Sequence, residues 1–292
     1  MKKKLYLHIG FHKTGTSSLQ EFFHNNRKEL LKNGVCYIKS FDSRFPANVD
    51  LSWAINSNPP PWASFKEGSP SEIISFYNEQ LKSNVCDKVI ISSEDFCLYD
   101  RQPETIKNLK HYLSDYDVKV VAYIRDPLEF VISLYCHAVR AGAVKCDLKT
   151  HISGHYKFFA ADYHSRLALW LKIFGKENMI IKKYSPKEFV NGSLVDDFFN
   201  AIDTKIDIPN AVYSKSNIGT HVWLLKPYIN ISNSDIDEAR KNDLLSSLTK
   251  LGKDLPKVDK ARYLLDEQDI LIFNKAYAEM KNKMLQEYGV EL

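Results

Sequence analysis

Residues 5 to 18 read Leu5-Tyr6-Leu7-His8-Ile9-Gly10-Phe11-His12-Lys13-Thr14-Gly15-Thr16-Ser17-Ser18. The apolar run Leu5 to Ile9 spells a short, buried strand, and Gly10 to Gly15 forms a turn. From Thr16 to Lys32 the pattern becomes helical: Leu19, Phe22, Phe23, Leu30 and Leu31 recur at helix spacing, and Asn33-Gly34 supplies a stop. A strand running through a tight turn into a helix aims several backbone N–H groups at one point, where the helix dipole adds partial positive charge. Lys13 adds a full charge, and Thr14, Thr16, Ser17 and Ser18 add hydroxyl donors. Gly10 and Gly15 let the backbone approach an anion closely. The segment therefore reads as a phosphate cradle, with a capped helix behind a polar turn as the plain alternative. It is not the nucleoside-triphosphate loop GxxxxGK[ST], because the lysine precedes the second glycine.

Val35 to Ile38, Lys88 to Ser92, Val118 to Ile124 and Met179 to Lys183 read as further strands. Helical patterns fall at Ser71–Lys82, Glu104–Leu113, Pro127–Arg140, Tyr163–Phe174 and Leu194–Ile202. Apolar strands alternating with helices predict an α/β fold: a central parallel sheet of about five strands in a P-loop-like, three-layer arrangement. The tail from Ile218 is mainly helical. Residues 41 to 70, rich in proline and carrying Trp53 and Trp62, read as a long ordered excursion with a short helix near Asp50 to Asn56. With no internal repeat, low-complexity tract or flexible linker, the expectation is one domain over residues 1 to 292.

A second constellation lies about 110 residues beyond the first. Val118 to Ile124 ends in Arg125, Pro127 opens the next helix, and Ser133 lies just over two helical turns past the arginine. Arg125 and Ser133 can meet at one phosphate, and the guanidinium fork suits phosphate oxygens. A structural Arg125–Asp126 pair is the ordinary alternative.

The run Gly-Phe-His-Lys-Thr-Gly-Thr-Ser-Ser resembles the 5′-phosphosulfate loop of sulfotransferases that use 3′-phosphoadenosine 5′-phosphosulfate (PAPS), particularly the bacterial type carrying HKTGT. Arg125, Pro127 and Ser133 are similar to the 3′-phosphate motif of the same family. The resemblance implies that Lys13 contacts the bridging oxygen and helps the leaving group depart. It implies that Thr14, Gly15, Thr16 and Ser17 hold the 5′-phosphate, with Gly10 and Ser18 in the same loop, and that Arg125 and Ser133 hold the 3′-phosphate. The implied product is adenosine 3′,5′-bisphosphate (PAP), and no metal is required.

Sulfuryl transfer needs a base for the acceptor proton. The strand Lys88–Ser92 runs into Ser93-Glu94-Asp95-Phe96, and the carboxyl ends of strands in open α/β sheets face the ligand crevice. Glu94 is the first choice, ahead of Asp95. A first-turn carboxylate of a short helix, begun at Ser93 or Asp95, is the structural alternative. His12 lies in the loop and is a further catalytic candidate, whereas His8, inside an apolar strand, reads as a core histidine. Trp53 and Trp62 can stack on sugar rings or pack under the loop. His151, His155 and Lys157 add polarity past the second motif, and His137 and Arg140, on the helix of that motif, can reach an acceptor, with a solvated helix face as the default reading.

Composition narrows the partners. A net charge of +4 is a mild positive excess that suits an anionic ligand without demanding one, and no nucleic-acid recognition motif is present. Five cysteines without a CxxC pair argue against a disulfide framework and a cysteine zinc site, and point to the cytoplasm. No signal peptide is read, since only Leu5 to Ile9 follows Lys2-Lys3-Lys4, and no run approaches the ~20 apolar residues of a membrane helix. The expected partner is a small-molecule or glycan acceptor, with a carbohydrate or glycolipid favoured by the type of loop. A P-loop kinase of a small metabolite using Mg-ATP and a non-catalytic nucleotide-binding module remain as alternatives.

Overall fold

The computed structural model describes residues 2–65, 67–152, 158–209, 211–213, 220–252, 254–256 and 258–292. In chain order its elements are β1 (Lys4–His8), α1 (Thr16–Asn25), α2 (Arg27–Lys32), β2 (Val35–Tyr37), α3 (Val49–Ile55), α4 (Pro70–Ser83), β3 (Lys88–Ser92), α5 (Pro103–Tyr112), β4 (Asp117–Ile124), α6 (Pro127–Arg140), α7 (Leu148–Ile152), α8 (Tyr163–Phe174), β5 (Met179–Lys183) and α9 (Leu194–Ala201). Four helices follow: α10 (Leu225–Ser232), α11 (Glu238–Leu251), α12 (Lys260–Leu264) and α13 (Glu267–Tyr288). The chain divides into two compact units, residues 1–124 with 164–215 and residues 125–163 with 216–292.

The first unit holds a five-stranded sheet of order β2-β3-β1-β4-β5 in which every pairing is parallel. Its central strand β1 aligns Leu5 with Val89 and Val118, and Leu7 with Ile91 and Val120. These side chains, all on one face of the sheet, are at most 9% exposed, so that face is covered, as parallel strands require. On the other face Tyr6, Ile90, Val121 and Tyr123 meet Leu19, Phe22 and Phe23 of α1 and Phe198 and Phe199 of α9. Fully burying each such side chain contributes roughly 1.5–3 kcal/mol. Pairing between β1 and β4 outruns the strand, since the Phe11 amide donates to Tyr123 O at 2.9 Å and the Tyr123 amide to Gly10 O at 2.7 Å. That carries the start of the glycine loop to the carboxyl edge of the sheet.

One local feature differs from the sequence pattern, and a second follows the structural alternative it left open. The expected helix over 16–32 breaks into α1 and α2 at Asn26, whose side-chain amide donates to Phe22 O at 2.8 Å and Val212 O at 2.9 Å. The residues after β3 form the short helix of that alternative, a 3-10 helix over Glu94–Arg101 begun by Ser93, whose hydroxyl accepts from the Asp95 amide, with Glu94 in its first turn. The excursion over 41–70 is held by buried polar side chains. Asn48 exchanges hydrogen bonds with the Ser92 backbone at 2.8 and 2.9 Å. Asp50 accepts from Ser40 Oγ at 2.8 Å and Tyr77 OH at 2.7 Å. A capping box at Ser69 and Glu72 then starts α4 behind Pro70.

The second unit is helical in its described residues. Asp126 caps α6 by accepting from the Leu128 and Glu129 amides, and its other oxygen meets Lys281 of α13 at 2.5 Å. Helix α6 packs against α10, α12 and α13. Among the described residues no helix is long and apolar enough to cross a membrane, and no disulfide joins the cysteines.

Candidate functional site

In the first unit the loop between β1 and α1 is shaped by its backbone. Gly10, Lys13 and Gly15 adopt φ of 102°, 64° and 78°. At Gly15 the left-handed φ selects glycine, and an added Cβ, 2.5 Å from Leu194 Cδ2 and 2.9 Å from Tyr184 Cε2, would also have to displace those side chains. No side chain caps the start of α1, and the Ser18 and Leu19 amides turn back to Gly15 O at 3.0 and 3.2 Å, so an anion there would be met by the amides that precede them. Thr14 and Thr16 are buried, and Thr14 Oγ1 donates back to Phe11 O at 2.5 Å, closing the turn on itself. His12, Lys13, Ser17 and Ser18 are half-buried.

Glu94 is adjacent to this loop. A Cβ on Gly10 would lie 3.1 Å from Glu94 Cα, so Glu94, two residues past the β3 end, closes the space that a side chain on the first glycine of the cradle would need. The Glu94 carboxylate is steered from α1, because Gln20 Nε2 donates to its Oε2 at 2.7 Å. The same amide reaches Ser92 Oγ at 3.3 Å, and Ser92 is hydrogen-bonded to His8 Nδ1 at 2.8 Å. His8 is fully buried, and burial pushes its pKa down to about 3, so it stays neutral as a core histidine. Gln20 was not among the residues singled out from sequence. Its signal is its place one helical turn after Thr16, on the helix that the cradle begins.

Asp95 has a separate set of partners. Its Oδ2 accepts from Trp53 Nε1 at 2.7 Å and Trp62 Nε1 at 3.3 Å, and its Oδ1 lies 3.6 Å from His12 Nε2. Burial alone lowers the His12 pKa, but negative charge on the Cys97 sulfur and then on the Glu94 and Asp95 carboxylates outweighs it and raises the pKa to about 9. His12 is thus a cation at neutral pH. Behind it Arg166, itself 4% exposed, stacks 4.4 Å from the Phe11 ring centre, donates to Cys97 Sγ at 3.3 Å and pairs with Asp100 at 2.5 Å. Burial raises the Cys97 thiol, and Arg166 followed by His12 more than reverses that, leaving it lowered. None of these contacts follows a motif spacing, because they join segments far apart in the chain.

In the second unit Arg125 and Ser133 line one cavity of about 550 Å³, together with Glu129, Asp259, Lys260 and Asn274. Arg125 Nη2 pairs with Glu129 Oε2 at 2.7 Å, one helical turn on. The alternative Arg125–Asp126 pair is not formed, since Asp126 is committed to the α6 cap and Lys281. Lys260 and Asn274 come from the helical tail, where no sequence signal marked them. His137 is exposed on α6 and His151 exposed on α7, while His155 and Lys157 lie outside the described residues.

No family model matches the chain. An uncharacterized protein of Archaeoglobus fulgidus is 26% identical over 208 residues, covering 68% of this chain and 53% of that protein. The chain thus spans about half the length of this curated relative. Among solved structures, a sulfotransferase from Alicyclobacillus acidocaldarius aligns over 84% of this chain and 95% of its own, with TM-score 0.46 and 15% identity. A mouse sulfotransferase complexed with PAP aligns over 99% of this chain and 90% of its own, with TM-score 0.41 and 10% identity.

Proposed function

We propose that the chain is a PAPS-dependent sulfotransferase that moves a sulfuryl group to a hydroxyl or amine, with a carbohydrate or glycolipid as the acceptor class. The observation that carries the reading is the placement of Glu94: its Cα and Cβ lie against the opening glycine of an anion cradle, and Gln20, on the helix that the cradle begins, holds its carboxylate. A cradle that only binds a nucleotide has no use for a carboxylate there, because it repels the anion. A transferase uses it to take the acceptor proton.

With a hydroxyl acceptor, the acceptor oxygen forms a bond to sulfur while the bond from sulfur to the bridging oxygen of the phosphosulfate breaks. The acceptor proton passes to Glu94, and PAP leaves with the bridging electrons. Lys13, and His12 as a second cation, stabilise the charge that develops on the departing oxygen. Thr14, Gly15, Thr16, Ser17 and Ser18 receive the 5′-phosphate. Arg125 and Ser133, with Lys260 beside them, receive the 3′-phosphate. We read residues 1–292 as a single sulfotransferase domain, a metal is not required, and the cytoplasm is the location in keeping with the thiols.

Calorimetry in EDTA with PAP, AMP and ATP tests the reading. Micromolar binding of PAP that needs the 3′-phosphate, and that weakens about 10–100-fold in Arg125→Ala, is expected, since a charge-assisted hydrogen bond contributes about 1.5–3 kcal/mol. No metal-free PAP binding alongside clear binding of Mg-ATP would assign the chain to the kinases.

A further inference from the structure

Two tryptophans share one carboxylate, yet their exposures are opposite. Trp53 is 7% exposed, lies edge-on to Phe45 and Phe65, and donates its indole N–H to Asp95 Oδ2 at 2.7 Å. It is a packed core residue of the excursion. Trp62 donates to the same oxygen at 3.3 Å but is 59% exposed. A singly exposed apolar residue is ordinary. An exposed indole tethered through its N–H to a buried carboxylate is a different object, because its ring is oriented and cannot turn freely.

The backbone adds to that orientation. Trp62 follows Pro59-Pro60-Pro61, three residues whose φ angles are fixed, and the Ala63 amide closes a turn onto Pro60 O at 2.9 Å. Asp95 is next in sequence to Glu94, and its other oxygen faces His12 of the loop. One carboxylate therefore connects the indole to the cradle loop, immediately beside the candidate base. Holding an aromatic surface ready in this way lowers the ordering cost of binding a flat ligand.

We propose that Trp62 is the acceptor platform: it takes the face of a six-membered ring bearing hydroxyl groups, a sugar ring in the first place, with Asp95 as the residue that positions it. The inference rests on the sulfotransferase reading for the identity of the site as an acceptor site. An aryl alcohol offers the same flat, hydroxyl-bearing ring, whereas an open-chain polyol offers the hydroxyls without the face.

The test uses the full chain loaded with PAP, titrated with cellobiose, maltose, lactose and chitobiose, with 2-naphthol, and with sorbitol, read by tryptophan fluorescence and calorimetry. At least one disaccharide is expected to bind saturably and sorbitol not at all. In Trp62→Ala the sugar affinity should fall about tenfold, and in Trp62→Phe, which keeps a ring but has no N–H for Asp95, it should fall by an intermediate amount, about threefold. PAP affinity, measured on the same samples, should not change in either variant. Unchanged sugar affinity in Trp62→Ala with intact PAP binding overturns the platform and leaves the sulfotransferase reading standing. Failure of PAP to bind the unaltered chain overturns that reading, while ring binding lost in Trp62→Ala still supports the platform. Tighter binding of 2-naphthol than of any sugar, also lost in Trp62→Ala, overturns the sugar assignment and supports the platform. Absence of binding by every ring compound overturns the proposal.

Discussion

The glycine loop of the first unit and the Arg125 cavity of the second are built from different materials. The loop is a backbone structure: three residues at positive φ, one of them a glycine with no room for a Cβ, and a helix start without a side-chain cap. Its neighbouring polar groups, His8, Ser92 and Gln20, are buried and joined by hydrogen bonds. The cavity is a side-chain structure, with Arg125, Ser133, Lys260 and Asn274 on its wall and Arg125 already engaged by Glu129. Folding sets the first geometry, whereas local charge balance sets the second. The loop should therefore respond to changes of backbone and packing, and the cavity to changes of charge.

The largest effect is expected where chemistry rather than binding is removed. Glu94→Gln keeps the volume and a partner for Gln20 but cannot accept a proton at neutral pH. Turnover should fall about 10²–10⁴-fold, the range of a positioned general base, with PAP affinity unchanged. Single-turnover kinetics with labelled PAPS beside PAP calorimetry separate the two, and turnover retained in Glu94→Gln would move the base elsewhere.

Next comes the backbone of the loop. Gly15→Ala places a Cβ 2.5 Å from Leu194 Cδ2 at a φ of 78°. Left-handed strain and overpacking together should destabilise the chain by about 2–4 kcal/mol. A chemical-denaturation midpoint reads this directly. Gly34→Ala is the control, since its φ is also positive, at 74°, but a Cβ there meets nothing within 4 Å. Equal losses in the two variants would mean that strain alone, not contact with Leu194, selects glycine at 15.

The same division explains what was legible in the sequence. Strands β1, β3, β4 and β5 and helices α6 and α8 are marked by apolar runs and local periodicity, so their places follow from composition within a few residues. The break at Asn26 is not local, because its side chain bonds Val212, 186 positions away. Glu94 was marked by its place at a strand end, and the loop by its glycines and hydroxyls. The partners of Asp95 were not, since Trp53, Trp62 and His12 reach it from separate segments and no spacing encodes their meeting. Lys260 and Asn274 join Arg125 and Ser133 only through the packing of the helical tail.

His8 and His12 extend the contrast to pH. Four positions apart, they are shifted in opposite directions, His8 down to about 3 by burial and His12 up to about 9 by its charged neighbours. Because His8 is lowered below its unfolded value of 6.5, its share of stability is present above that value and declines as pH falls toward 3. Because His12 is raised, its share is complete below 6.5 and is lost as pH rises through about 9. Denaturation midpoints of the unaltered chain and His12→Gln should therefore converge as pH climbs from 7 to 9. A gap that stays constant over that range would show that His12 is not held as a cation.

The smallest effect sharpens the side-chain half of the comparison. Arg125 Nη2 and Glu129 Oε2 stand 2.7 Å apart, with Glu129 59% exposed. A solvent-exposed pair one helical turn apart contributes about 0.3–0.5 kcal/mol. A phosphate entering the cavity must draw Arg125 from Glu129 and settle beside that carboxylate's charge. Removing the charge while keeping the shape, in Glu129→Gln, should therefore tighten PAP binding about twofold, which is what ~0.4 kcal/mol converts to, and more at low ionic strength. AMP, which lacks the 3′-phosphate, should bind the two chains equally. Weaker PAP binding in Glu129→Gln would reverse the role: Glu129 would then hold the guanidinium in place for the phosphate, and the cavity would share the built-in geometry of the loop.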